Sequence, residues 1–271
     1  MKTVAIVGVG LIGGSFALAL RAAGFAGKII GVSSPDAVRA AIERGIIDEA
    51  LPLADAAAQA DLIYLARPIE GILSVLDDLD AYVKPGTLIT DAGSTKEAIC
   101  ARATEKIHRA RFVGGHPMAG KEARGAAEAE ASLFRGRPYI LTSPSAELEA
   151  RIASFGARIV IMSAEQHDVL VAFTSHLPQL ISTALAASIG TEPEAARVAG
   201  PAAMDLTRLA MSPYEIWRDI FATNATNIDA ALSVFIAKLE HLRSALSNAQ
   251  LEREFENAAA AARLLRNMEN P

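Results

Sequence analysis

The stretch KTVAIVGVGLIGGSFALALRAAG, Lys2 to Gly24, decides the fold. Val4 to Val7 is a short apolar run suited to a strand buried on both faces. Gly8-Val9-Gly10-Leu11-Ile12-Gly13 follows at once. A helical pattern then sets Phe16, Leu18, Ala19 and Leu20 on an apolar face, with Gly24 suited to the C-terminal stop. Strand, glycine loop and helix in this order are the setting of a dinucleotide-binding G-x-G-x-x-G. Gly8 permits the tight turn, Gly10 leaves room for a pyrophosphate against bare backbone, and Gly13 lets the helix approach the strand. The helix start at Leu11 and Ile12 offers N–H groups and partial positive charge to phosphates. The motif alone recurs by chance, so its flanks carry the assignment. The uncharged run from Thr3 to Leu20 has neither the cationic segment nor the cleavage site of a signal peptide, and its glycines make a poor membrane span.

The pattern repeats outward from this unit. Lys28–Val32 reads as a second strand, and Ser33 stands where an acidic residue often binds the ribose hydroxyls. Ser33 does not repel a 2′-phosphate, and the nearest arginine, Arg39, is a helical turn away. NADP is therefore permitted and NAD is not excluded. Asp36 is expected to cap the next helix, residues 36–44. Asp61–Ala66 is a third strand, followed by Arg67-Pro68 and a helix through Leu79; Thr87–Asp91 is a fourth, leading into Ala92-Gly93-Ser94-Thr95-Lys96 and another helix. Arg111–Gly115 is a fifth, ending in His116-Pro117-Met118-Ala119-Gly120, and Pro138–Thr142 and Arg158–Met162 read as two more. Strands alternating with helices imply a doubly wound, mostly parallel sheet, the α/β Rossmann class, over residues 1–164. Ligands bind beyond the carboxyl ends of such strands, and Gly8, Ser33, Arg67, Ser94 and His116 all fall there.

From residue 165 to 271 the pattern is all-helical. Gln166–Gly190 reads as one helix bent at Pro178, Tyr214–Leu246 as a long one, and Asn248–Met268 as a last amphipathic one. So much apolar helical surface implies burial against a second copy, a homodimer.

The 271 residues can bury a sizeable core, and a net charge of −5 gives no basic footprint for nucleic acid. The single cysteine, Cys100, excludes a disulfide framework and fits a reducing cytoplasm; in a helical stretch it reads as a small buried hydrophobe. No Cys/His cluster has zinc-ligand spacing, and no metal or membrane partner is expected.

Chemistry-bearing residues gather in a few stretches. Ser94 reads either as a helix cap or as a hydroxyl facing a ligand. His116 follows a strand end between glycines and a proline, and histidine is the usual group for removing a hydroxyl proton during hydride transfer. In the helical part stand Ser175-His176-Leu177-Pro178-Gln179, Asp205-Leu206-Thr207-Arg208 and Trp217-Arg218-Asp219. Arg208 could clamp a carboxylate or pair with Asp205 or Asp219.

Together, VGVGLIGGS (Val7–Ser15), DAGSTK (Asp91–Lys96), GGHPMAG (Gly114–Gly120), TSHLP (Thr174–Pro178), DLTR (Asp205–Arg208) and WRDIF (Trp217–Phe221) resemble the prephenate/arogenate (cyclohexadienyl) dehydrogenase family. The resemblance covers nearly the whole chain. It implies a Rossmann domain with a helical substrate and dimerisation domain, and NAD(P)-dependent oxidative decarboxylation of a cyclohexadienol in tyrosine biosynthesis. His116 is then the base at the ring hydroxyl, Ser94 bonds the same hydroxyl, and Arg208 holds a substrate carboxylate. His176, Gln179, Lys121, Asp205 and Trp217 shape the substrate pocket. The cofactor is expected at Gly8, Gly10, Leu11, Ile12, Gly13, Ser33, Ser34, Arg67, Pro68 and Ser94.

Departures mark the particular chain. Gln179 stands where many prephenate-preferring relatives have a second histidine, and its amide suits a keto or an ammonium side chain. Dual use or an arogenate bias is the expectation. AGPAAMDLTR has Pro201 and Ala202 where glycines or a Phe-Arg pair are common, and Lys121 replaces a usual threonine. Neither a chorismate mutase segment nor a regulatory domain is expected. The competing readings are a β-hydroxyacid-type dehydrogenase, whose helical-domain lysine would have to be Lys238, and a non-catalytic NADP-sensing regulator.

Overall fold

The structure is a computed structural model that describes residues 1–121, 123–246 and 250–267, the Gln250 side chain excepted. The chain forms two compact units, Met1–Leu170 with Ser212–Thr223, and Val171–Met211 with Asn224–Pro271.

The first unit runs β1 (Thr3–Val7), α1 (Leu11–Ala22), β2 (Lys28–Val32), α2 (Pro35–Glu43), β3 (Glu49–Ala50), α3 (Leu53–Gln59), β4 (Leu62–Leu65), α4 (Ile69–Leu79), β5 (Leu88–Asp91), α5 (Glu97–Lys106), β6 (Arg111–Val113), β7 (Gly115–Pro117), β8 (Pro138–Leu141), α6 (Ala146–Ser154), β9 (Arg158–Ile161) and α7 (Ala164–Val171). Six strands make one parallel sheet in the order β3-β2-β1-β4-β5-β6, with the order reversing beside β1. This is the doubly wound Rossmann arrangement, with its ligand crevice where the order reverses. Alternation along β1 divides the core. Val4 and Ile6 pack with Phe16, Leu20 and Tyr64 on one face, while Ala5 and Val7 pack with Ile72, Leu76 and Ile99 on the other.

Three details differ from the sequence reading. The short edge strand β3 carries no apolar run and pairs through two residues only. The expected fifth strand divides at Gly114: β6 closes the parallel sheet, and β7 leaves it to pair antiparallel with β8. Strands β7, β8 and β9 thus form a separate three-stranded sheet rather than an extension of the first. His116 accordingly lies in a strand, opposite Ile140, not in a loop. Finally, Asp36 sits inside the first turn of α2, where it pairs with Arg39, and Ser34 is the N-cap residue.

In the second unit, α8 (Leu177–Gly190) follows a π-helical turn, Ala172–His176, that separates it from α7. The break expected at Pro178 therefore lies just before it. Proline has no N–H and its ring crowds the carbonyl four residues back, so the wider turn precedes it and Pro178 occupies the first turn of α8. Then come α9 (Pro201–Thr207), a 3₁₀ turn at Arg208–Met211, α10 (Tyr214–Ala245) and α11 (Gln250–Asn267). Of the expected last helix, residues 248, 249 and 268 lie outside the described residues. Helix α10 is broken at Asn224 (φ −134°, ψ 23°). Its turns before that point belong to the first unit: Ile220 is buried beside Ile72 and Leu76, and the Glu70 N–H donates to the Asp219 carboxylate at 3.2 Å, capping α4. Ala164–Gly190 and Tyr214–Ala245 are apolar and long enough to cross a membrane by length and composition. They carry buried His176, Gln179 and Asn224, which are hydrogen-bonded within the second unit.

Candidate active site

A cavity of about 510 Å³ opens at the carboxyl ends of β1, β2 and β4, lined by Gly8, Val9, Gly10, Val32, Ser33, Ser34, Ala37, Ala66, Arg67, Pro68 and Gly125. Gly8 takes φ +99°, and a Cβ there would sit 2.3 Å from the Ala66 carbonyl oxygen. A Cβ on Gly13 would meet the Gly8 oxygen at 2.1 Å, whereas one on Gly10 would stand in open space. No side chain caps the start of α1, so the amides of its first turn, from Leu11 and Ile12, point outward from bare backbone. This cradle fits a dinucleotide pyrophosphate. Arg67 is the cation of the lining, and no carboxylate lines the cavity among the described residues. Ser94 is not part of this lining.

The residues preceding Ser94 and His116 are held by one carboxylate. Asp91, fully buried at the end of β5, accepts from the Gly93 N–H at 2.7 Å and the Gly115 N–H at 3.0 Å, the residues just before Ser94 and His116. It also pairs with the buried Lys96 ammonium, closing the DAGSTK loop on itself. Gly115 allows the approach, since a Cβ would lie 2.6 Å from the Asp91 carbonyl oxygen. Ser94 is half-buried and does not cap α5. That task falls to Asp168, which accepts from the Lys96 N–H at 2.7 Å and the Glu97 N–H at 3.0 Å. Thr95 bonds Thr223 at 2.8 Å.

The His116 ring is hydrogen-bonded through Nδ1 to His167 Nε2 at 2.8 Å, and His167 Nδ1 bonds Asp168 Oδ1 at 2.6 Å. His167 and Asp168 are wholly buried. The sequence pattern singles out neither; the adjacent His-Asp pair in the middle of α7 is the signal it offers, and only the fold brings it to His116.

Trp217 lies in the first unit, its indole N–H on the Ser212 hydroxyl at 2.9 Å and its ring stacked on Phe221. Asp219 is engaged by Arg218 at 3.0 Å. Lys121 pairs with Glu130 at 2.6 Å. In a second cavity of about 520 Å³ both line the wall with Arg135 and Arg137. Cys100 is half-buried, and burial pushes its thiol up to about 11, which leaves it protonated and a poor nucleophile.

In the second unit His176 is buried, and the Asn224 amide donates to its Nδ1 at 3.2 Å; Asn224 Oδ1 accepts from Asn227 at 2.8 Å. That polarity places the His176 ring proton on Nε2. Gln179 is buried too. Its Nε2 donates to the Leu209 carbonyl at 2.9 Å, and the Ala210 N–H donates to Ser182 at 3.0 Å. Helix α8 thereby holds the turn that begins at Arg208. Asp205 and Arg208 are exposed on α9 and this turn. Lys238 pairs with Glu254 at 3.0 Å.

A parallel sheet ordered around β1, a glycine cradle at its carboxyl edge and a hydrogen-bonded histidine define a dinucleotide-dependent oxidoreductase. Residues 16–157 match the family model of the prephenate dehydrogenase nucleotide-binding domain, and residues 163–260 that of its dimerization domain. The chain belongs to the prephenate dehydrogenase family. It is 35% identical to a prephenate dehydrogenase of Lactococcus lactis over 83% of this chain and 65% of the relative, so it spans under two thirds of that protein. It is 33% identical to the cyclohexadienyl dehydrogenase of Zymomonas mobilis over 91% of this chain and 89% of the relative. A crystal structure of A. aeolicus prephenate dehydrogenase with hydroxyphenyl propionate and NAD+ superposes with a TM-score of 0.90 at 31% identity, covering 98% of each chain.

Proposed function

We propose that this chain is a cyclohexadienyl dehydrogenase that oxidatively decarboxylates arogenate, prephenate or both, in the synthesis of tyrosine. The observation that carries the reading is the Asp91 carboxylate holding the residues before Ser94 and His116, which assembles a hydroxyl and an imidazole on adjoining segments. The bound nicotinamide supplies the hydride acceptor. His116 takes the proton of the ring hydroxyl, and Ser94 bonds that hydroxyl and orients it. Arg208 binds a substrate carboxylate bidentately. His176, Gln179, Lys121, Asp205 and Trp217 complete the substrate contacts. Orientation is the main service, because aromatisation on loss of carbon dioxide already favours the reaction.

The cofactor lies on Gly8, Gly10, Leu11, Ile12, Gly13, Ser33, Ser34, Arg67, Pro68 and Ser94. Serines in place of an acid, with Arg67 in the same lining, support acceptance of NADP as well as NAD. Gln179 Oε1, buried with no hydrogen-bond partner, is an acceptor suited to a substrate ammonium, which supports use of arogenate. Exposed Leu206, Met211, Val234 and Leu239 in the helical unit support a homodimer through that unit. A cytoplasmic location accords with the lone cysteine.

Reduction of the nicotinamide followed by absorbance, with arogenate and prephenate each against NAD and NADP, tests the reading. Reduction with at least one cyclohexadienyl substrate is expected, and its absence from all four pairs overturns the proposal.

A further inference from the structure

We propose that His167 and Asp168 are positioning residues that fix the tautomer of His116 and stabilise the charge it acquires. The inference deepens the proposed chemistry and rests on that reading only for the role of His116 as base.

The polarity of the chain follows from its end. Asp168 accepts both backbone bonds at the start of α5, from the Lys96 and Glu97 N–H groups, with its two carboxylate oxygens. It has acceptors to offer His167, not a proton. His167 Nδ1 therefore carries the hydrogen of the 2.6 Å bond to Asp168. In a neutral imidazole the other nitrogen is then the acceptor. His167 Nε2 accepts across the 2.8 Å contact, so His116 Nδ1 is the donor. The lone pair of His116 falls on Nε2. A base is useful only with its lone pair on the nitrogen that meets the substrate, and each bond here selects the next.

The chain also acts after the proton moves. The substrate O–H bond breaks, an N–H bond forms at His116 Nε2, and the ring gains one positive charge. His116 keeps its Nδ1–H on His167, and His167 keeps its Nδ1–H on Asp168. No second proton is displaced. The cation and the Asp168 carboxylate are then linked through one neutral ring inside a buried region, where such linkage is stronger than in water. Asp91 and Lys96, both buried, are paired with each other.

The test reads the tautomer directly. Nitrogen NMR of the whole protein with isotope-labelled histidine, assigned with single histidine variants, is expected to show His116 protonated on Nδ1. In D168N the new amide donates to His167 Nδ1, both rings reverse, and His116 shows its proton on Nε2. In turnover, H167L is expected to lose at least ~100-fold in kcat with substrate KM nearly unchanged. H167Q, whose Oε1 reaches the same acceptor position, recovers at least ~tenfold of that loss. A His116 protonated on Nε2 in the folded wild-type protein overturns the proposal, and so does H167L with undiminished kcat. The NMR measurement needs neither substrate nor cofactor. A chain inactive with cyclohexadienyl substrates would overturn the proposed function and leave the tautomer result standing.

Discussion

Lys96 and Asp91 form an ion pair in which both side chains are completely buried, across the loop that carries Ser94. Two charges removed from water are tolerable only while each has the other, and Asp91 further satisfies two backbone amides. Lys96→Met leaves that carboxylate without its cation. The expected loss is ~3–5 kcal/mol of stability, which for a protein of this size lowers the melting temperature by roughly 6–12 °C. Thermal unfolding followed by circular dichroism checks it. A variant as stable as the parent would show that the amides alone suffice for Asp91.

His116→Ala removes the proposed base and leaves the glycine cradle on β1 intact. Turnover is expected to fall ~10²–10⁴-fold, while the dissociation constant for the cofactor, read by fluorescence or calorimetry, stays within about twofold. Turnover that survives the change removes His116 from the chemistry.

Gln179 and Arg208 predict opposite kinds of defect. Arg208→Ala is expected to raise the substrate KM at least ~tenfold with little change in cofactor affinity, the mark of lost ground-state binding. Gln179→His exchanges a buried amide that bonds the Leu209 carbonyl for an imidazole. The ratio of kcat/KM for arogenate over prephenate is expected to fall by ~fivefold or more. An unchanged ratio would leave Gln179 only the task of holding the Arg208 turn.

The fold was legible because its signals are local. Glycines, proline and apolar runs announce β1, α1, β2, β4 and β5 wherever a backbone demand is met by the residue itself. What escaped depends on distant pairing. β3 joins the sheet through Glu49 and Ala50, which carry no strand pattern. The exit of the chain at Gly114 is set by Thr142, whose hydroxyl accepts the Gly114 N–H at 2.9 Å from across two elements. The candidate site divides the same way. Ser94 and His116 stand out by the glycines and proline beside them in sequence, whereas Asp168 reads as an ordinary helix acid until α5 is placed on it.

Asp61 makes stability depend on pH in the acid range. The Lys84 ammonium beside it, with the Lys2 and Thr3 amides at the start of β1, holds its carboxyl well below the usual carboxylate range. A folded-state value below the unfolded one stabilises the fold fully above the unfolded value, about 3.9, and loses that contribution as pH falls toward the folded value. Asp61→Asn is expected to be less stable than the parent at neutral pH by ~1 kcal/mol, the site being part-exposed. The gap should shrink as denaturation is repeated below about pH 4. A gap that is constant with pH would assign the difference to packing rather than charge.

Ser33 predicts how cofactor choice can be turned. It follows β2 at the cavity that Ser34 and Arg67 also line, while the other nearby arginine, Arg39, is engaged by Asp36. An aspartate at 33 would accept from both ribose hydroxyls of NAD and repel the 2′-phosphate of NADP, and it would stand opposite the cation that such a phosphate would use. Ser33→Asp is therefore expected to raise the KM for NADP at least ~tenfold while that for NAD holds or falls. Arg67→Ala should weaken NADP more than NAD, because only one of the two brings the extra charge to this corner. The two variants together separate repulsion from lost attraction. If Ser33→Asp leaves the ratio of the two cofactors unmoved, the ribose does not reach the end of β2, and Arg67 alone would have to set the preference.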